Sequence, residues 1–167
     1  MLRLTAERPQ VKVVDDQRGT PTYAADLAGV ILAVLSAYAG SAASLTSDAS
    51  AHAADTSASF DGTPSSFAGL TGESPFDAST NIYNFTNEGA CTWYEFACEI
   101  LRQAQDDGRT APDGRACEIL PCRSEEFPSP VRRPAYSVLD KSKITTALGL
   151  EIPEWQDALR RCLASLL

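Results

Sequence analysis

Val11-Lys12-Val13-Val14-Asp15-Asp16-Gln17-Arg18-Gly19-Thr20-Pro21-Thr22 is the stretch whose reading decides the fold. Val11, Val13 and Val14 form a short β-like run that Asp15-Asp16 ends, and Gly19-Thr20-Pro21 turns the chain. Thr22 is placed to N-cap a helix running to about Tyr38, with Ala25, Leu27, Ala28, Ile31, Leu32 and Leu35 as a broad apolar face at helical spacing. Strand, tight turn and helix in that order predict a mixed α/β chain.

The pattern resumes far downstream. Ile82-Tyr83-Asn84-Phe85 alternates like a strand, and Asn87-Glu88-Gly89 ends it. Thr92 and Glu95 make a capping box, after which Phe96, Ile100, Leu101 and Ala104 build a helix face to about Gln105. Cys117-Glu118-Ile119-Leu120 reads as a further strand stopped by Pro121, and Pro128, Pro130 and Pro134 stiffen an extended loop. Asp140 caps a brief helix ended by Gly149, and a last helix from about Pro153 buries Trp155, Leu159, Cys162, Leu163 and Leu166. Three short strands and about four helices are expected, in a single partial domain spanning 1–167. Trp93 and Trp155 are both expected in the core.

Between these patterned parts, 24 of the 41 residues from Gly40 to Thr80 are Ser, Thr or Ala, and no Lys or Arg occurs between Arg18 and Arg102. So few large apolar side chains cannot offset the entropy of ordering, which predicts an irregular insertion over 40–80. Phe60, Phe67, Leu70 and Phe76 are its candidate anchors.

Composition excludes several classes of function. A net charge of −8 over 167 residues repels phosphate backbones and anionic membranes, so neither nucleic acid nor a membrane surface is an expected partner. No apolar run reaches the length of a membrane span, and Met1–Gln10 lacks the features of a secretory leader, so a cytoplasmic location is expected. The five cysteines (Cys91, Cys98, Cys117, Cys122, Cys162) follow no pairing or metal-ligand rhythm, and the single histidine, His52, lies far from them. They read as reduced, packed thiols, with no metal site.

The missing chemistry is equally informative. A dinucleotide fold needs a glycine-rich turn between strand and helix, and Gly69-Leu70-Thr71-Gly72 has no strand before it. Short-chain reductases pair a tyrosine with a lysine four residues later, whose charge favours the phenolate. Here Arg8, Ser137 and Leu139 stand four before Lys12, Lys141 and Lys143, so no such pair exists. One histidine offers no triad. No catalytic residue and no cofactor-binding residue is therefore assigned. Asn84-Phe85-Thr86 matches a glycosylation sequon, discounted because it falls in an expected strand of a cytosolic protein.

What remains resembles a family. Val13 to Thr22, followed by Asp26-Leu27-Ala28, is similar to the segment that opens the substrate-side region of extended short-chain dehydrogenases/reductases. Ile82–Phe85 leading into Thr92-Trp93-Tyr94-Glu95-Phe96-Ala97, then Pro128 to Asp140 with Pro130-Val131-Arg132-Arg133-Pro134 inside it, then Pro153-Glu154-Trp155, narrows the likeness to the dTDP-4-dehydrorhamnose reductases. The resemblance covers about 1–38 and 81–167. It implies a parent enzyme that reduces dTDP-4-dehydro-L-rhamnose to dTDP-L-rhamnose with NADPH or NADH. The Rossmann half and the catalytic Thr/Ser, Tyr and Lys of that family map onto no residue here. Met1-Leu2-Arg3-Leu4 resembles the interior of a family helix, so the chain is expected to be the C-terminal substrate lobe of a longer polypeptide, inactive alone.

The resemblance directs attention to six residues. Arg132 and Arg133 on the proline-stiffened loop can clamp a nucleotide diphosphate, because guanidinium forks match phosphate oxygens, or can form surface ion pairs. Gln17 and Thr22 either face substrate or serve the turn and helix cap. Tyr136 and Ser137 either touch substrate or satisfy local backbone. Expected partners are a dTDP-sugar and the N-terminal Rossmann half, whose loss would expose apolar surface and favour a homo-oligomer. The alternative is a non-catalytic module of the same superfamily, like the regulatory subunit of methionine adenosyltransferase.

Overall fold

The computed structural model describes residues 1–44, 82–108, 117–127 and 131–166. Packing divides the chain into two compact units inside the stretch that the sequence reads as one domain. The first comprises Met1–Tyr23, Thr86–Leu139 and Pro153–Leu167, and the second Ala24–Phe85 and Asp140–Ile152.

In the first unit, helix α1 (Leu2–Glu7) leads into strand β1 (Gln10–Val14), which pairs in parallel with β4 (Glu118–Cys122), Val11 opposite Ile119 and Val13 opposite Pro121. β4 therefore runs through the proline expected to stop it. The Glu118 N–H donates to Pro9 O at 2.9 Å and the Asp15 N–H to Cys122 O at 2.9 Å. Alternation then turns the even-numbered residues of β4 toward β1 and leaves Pro121, which has no N–H to give, on the open edge where none is needed.

β2 (Arg18–Gly19) pairs antiparallel with β3 (Cys91–Thr92), two-residue strands too short for any hydropathy pattern to announce. Thr92 ends β3 and caps α3 (Trp93–Asp106): its Oγ1 accepts the Glu95 N–H at 3.1 Å while its own N–H donates to Glu95 Oε2 at 2.8 Å, the expected capping box. α3 packs on α5 (Trp155–Ala164) around Cys91, Trp155, Leu159 and Leu163, with Leu2, Phe96 and Ile100 at the margin. Phe96 and Trp155 meet edge-on with centroids 5.7 Å apart, a geometry that adds about 1 kcal/mol to the area buried.

Ile82–Phe85 is not a strand. Among the described residues nothing runs alongside its backbone; instead the Asn84 amide donates to Asp140 O at 3.3 Å and Lys143 Nζ to Ile82 O at 3.2 Å, both within the second unit. Asn87, completely buried, is the polar centre of the first unit near this point. Its Oδ1 accepts the Tyr23 N–H at 2.8 Å and its Nδ2 donates to Pro153 O at 3.3 Å. α5 begins at Trp155, two residues after Pro153, and Leu166 lies beyond it, exposed rather than buried.

The second unit holds α2 (Ala24–Ser44), which ends six residues beyond the Tyr38 that the periodicity suggests, and α4 (Ser142–Leu148). α2 starts at Ala24, so Thr22 is not its N-cap. Val30 on α2 packs with Ile144 and Leu148, flanked by Ala33, Val34, Ala37, Tyr83 and Phe85. Asp140 Oδ1 accepts the Ser142 N–H at 2.9 Å, and Gly149 closes α4 at φ +60°, where only glycine is unstrained. Of the expected 40–80 insertion, Gly40–Ser44 completes α2 and the rest lies outside the described residues.

Candidate functional site

Two adjoining clefts lie wholly within the first unit, beyond the C-terminal ends of the parallel strands β1 and β4. The larger, about 1430 Å³, is walled by Lys12, Asp16, Ser124, Glu125, Arg132 and Arg133 with Trp93 and Phe127. The smaller, about 500 Å³, is walled by Thr20, Pro21, Cys91, Phe96 and Ser137, among others. Gln17, Trp93, Arg133 and Pro134 border both. In open sheets of this kind the crevice outside the strand carboxyl ends is where ligands bind.

The cleft walls are fixed by two adjacent carboxylates that reach in different directions. Asp15 Oδ1 accepts from Thr92 Oγ1 at 2.6 Å, tying the end of β1 to the start of α3. Asp16 accepts both the hydroxyl and the N–H of Ser124, at 2.5 and 3.0 Å, tying the same end of β1 to the 3-10 turn Ser124–Glu126. Gln17 Nε2 donates to that hydroxyl at 2.8 Å. These bonds, the Ser124 hydroxyl foremost, hold the Asp16 carboxyl below its ordinary range, so it is ionised at neutral pH.

The arginine loop is fastened along β2. The Arg18 N–H donates to Ala135 O at 2.8 Å, and the Ser137 N–H returns to Arg18 O at 2.9 Å. A Cβ on Gly19 would stand 2.9 Å from Ser137 Oγ, a contact that turning the serine hydroxyl about χ1 would relieve. The Arg18 side chain meets Ala90 O at 2.9 Å and Glu95 Oε2 at 3.5 Å.

Five of the six residues singled out from sequence line a cleft: Gln17 and Arg133 both, Arg132 the larger, Thr22 and Ser137 the smaller. Tyr136 lines neither; it bridges Arg18 by backbone and leaves its ring 66% exposed. Among the described residues, Arg132 and Arg133 are exposed and in no ion pair, while Arg18, Lys12 and Arg102 are each paired. Sequence reasoning missed Asp16 and Ser124, 108 residues apart, and misplaced Trp93, which is not core but 53% exposed on the cleft border. Its position directly after the N-cap, ahead of the buried face of α3, is the signal that could have placed it.

Nucleophilic and metal chemistry find little support here. Burial pushes the Cys91 thiol up to about 11, with Glu95 adding to the shift, so it stays protonated at neutral pH. Among the described residues no group of His, Cys, Asp and Glu is arranged to hold a metal ion. A nicotinamide dinucleotide does not fit the described residues either. β1 runs into Asp15-Asp16-Gln17, where a glycine-rich turn would have to bring backbone N–H groups to the pyrophosphate, and the ionised Asp16 would repel it.

Comparison with known proteins now has a geometry to attach to. The RmlD substrate binding domain family matches residues 1–58 and 68–167. The match takes in most of the 40–80 stretch, which the sequence resemblance leaves outside. A dTDP-4-dehydrorhamnose reductase of Burkholderia thailandensis is 30% identical over 168 residues, covering 100% of this chain and 45% of that protein. The crystal structure of a dTDP-4-dehydrorhamnose reductase from Clostridium acetobutylicum superposes with a TM-score of 0.64 at 28% identity, covering 99% of this chain and 41% of the other. That of the Bacillus anthracis enzyme, in complex with NADP, gives 0.61 at 27% identity, covering 98% and 41%. The chain thus spans under half the length of these relatives. Among the described residues no helix is long and apolar enough to cross a membrane.

The Asp16 anchor predicts a specific pH dependence. Its folded pKa is depressed, so the stabilisation is fully present above the ordinary value of 3.8 and is lost as pH falls through the lower folded value. Asp16→Asn should unfold at a lower urea concentration than the parent chain at pH 7, with the gap narrowing as pH is lowered from 3.8 through the depressed folded value. A gap that stays the same size across that acid range would contradict the anchor.

Proposed function

The chain belongs to the RmlD substrate binding domain family, and from that premise we propose that it is the sugar-nucleotide-binding lobe of a dTDP-4-dehydrorhamnose reductase. The substrate is a dTDP-4-keto-6-deoxy sugar, reduced at C4 with NADPH or NADH by the longer protein. This chain contributes binding and orientation: energy gained on the nucleotide holds the keto carbon in place for hydride from the reduced nicotinamide, which residues outside this chain would hold. The observation that carries the reading is the pair Arg132 and Arg133, in no ion pair among the described residues of a strongly acidic chain and held on the border of the larger cleft. A cation left without a carboxylate partner beside a cleft is suited to an anionic ligand, and a guanidinium fork matches a diphosphate.

Arg133→Ala should weaken binding of a dTDP-sugar, followed by calorimetry, about tenfold or more, and Arg133→Lys should restore only part, since a point charge cannot bond bidentately. Unchanged affinity in Arg133→Ala would remove this residue from the site.

We also read α2 as a self-association surface. Ile31, Leu32, Leu35 and Tyr38 are exposed on a helix whose other face is already packed on Ile144 and Leu148. Light scattering should give a mass above the monomer that falls on Leu35→Glu; a monomer at every concentration would refute this.

A further inference from the structure

The chain passes between its two units four times, after Tyr23, Phe85, Leu139 and Ile152. The second unit is therefore two separate pieces of chain, each leaving from the first unit and returning to it. Asn84 and Asn87 are each the second residue from the crossing at Phe85-Thr86, on opposite sides of it.

On the first unit's side Asn87 is completely buried. Its Oδ1 accepts the N–H of Tyr23, the last residue before the first crossing, at 2.8 Å. Its Nδ2 donates to the carbonyl of Pro153, the first residue after the fourth crossing, at 3.3 Å. The Glu88 N–H reaches the same Pro153 carbonyl at 2.9 Å. On the second unit's side the Asn84 amide donates to the carbonyl of Asp140, the first residue after the third crossing, at 3.3 Å. Each of these bonds lies inside one unit, yet together they bring all four crossings to the run Asn84–Asn87.

The side-chain type suits the place. A carboxamide carries an acceptor and a donor on one short planar group, so Asn87 can take an N–H from one segment and give one to the carbonyl of another. An apolar side chain of the same shape would leave the Tyr23 N–H without this partner. β2 and β3 close the same long loop at Arg18–Gly19 and Cys91–Thr92, but leave several residues of slack on each arm before the second unit begins. Asn87 takes up that slack at Tyr23.

The second unit has reason to depend on its ends. Among the described residues its buried apolar core is Val30, Ile144 and Leu148 alone. A core so small offsets little of the entropy of ordering two pieces of chain. Ends already held by the first unit remove part of that entropy before the second unit packs.

We propose that the run Asn84–Asn87 is the joint that couples the folding of the second unit to that of the first. With its bonds in place the two units unfold as one; without them the second opens first and alone. The proposal is independent of what the clefts bind.

The test follows unfolding of the whole labelled chain in urea, residue by residue, through its native amide resonances. In the parent, the signals of α2 and α4 should vanish at the same urea concentration as those of β1, α3 and α5. Asn87→Ser, whose hydroxyl is too short to reach both Tyr23 and Pro153, should lose α2 and α4 about 0.5 to 1 M below the rest. Asn84→Ala, at an exposed residue where truncation leaves no cavity, should open a smaller gap of the same sign. One shared midpoint in both variants, wherever it lies, would show that the asparagines only stabilise the molecule as a whole, and the proposal falls. It falls equally if Asn87→Ser has lost the native signals of both units without urea, or if the parent already shows two midpoints.

Discussion

A strand of two residues holds the candidate site together. Arg18 and Gly19 are hydrogen-bonded along both edges, to Cys91-Thr92 on one side and to Ala135–Ser137 on the other, so a loop distant in sequence is fastened beside the end of β1. Backbone bonds on both sides fix it in register. Arg132 and Arg133 are carried by that loop a few residues earlier. Without this clamp each guanidinium would have to be ordered by the ligand itself, and the entropy of doing so would come out of the binding energy.

The same economy runs through the polar groups at the end of β1. Successive residues of an extended chain point to opposite sides, and Asp15 and Asp16 use this to grip two different elements: the N-terminus of α3 through Thr92, and the 3-10 turn through Ser124. Both are charge-assisted bonds made by side chains too short to have much rotational freedom to lose. The outcome is a pair of clefts with fixed acidic and hydroxyl walls and two arginines left unpaired. On the proposed reading this is a binding surface, and its chemistry is one of recognition and orientation.

Much of this was legible from residues alone wherever the determining interaction is local. The capping box of Thr92 and Glu95 lies within one helical turn, and Gly149 ends its helix through its own backbone freedom, so both read correctly. Misreadings occurred where tertiary context decides. Among the described residues Ile82–Phe85 has the alternation of a strand but no neighbour to pair with, Pro121 is tolerated because its nitrogen faces an open edge, and Leu166 falls past the last turn that packs. Trp93 and Trp155 carry the same ring, and only their places relative to the cap and the α3–α5 core separate the exposed one from the buried one. The bond from Asp16 to Ser124 has no sequence signal, since the fold alone brings the two together.

The central claim is that the first unit, at the carboxyl ends of β1 and β4, recognises a dTDP-sugar. Backbone amide chemical shifts of the labelled chain, followed during titration with dTDP-rhamnose, test it most directly. The account predicts saturable changes confined to Gln17–Thr22, Thr92–Trp93, Ser124–Glu125 and Val131–Ser137, with α4 unmoved. Changes centred on α4, or none at millimolar ligand, would contradict it.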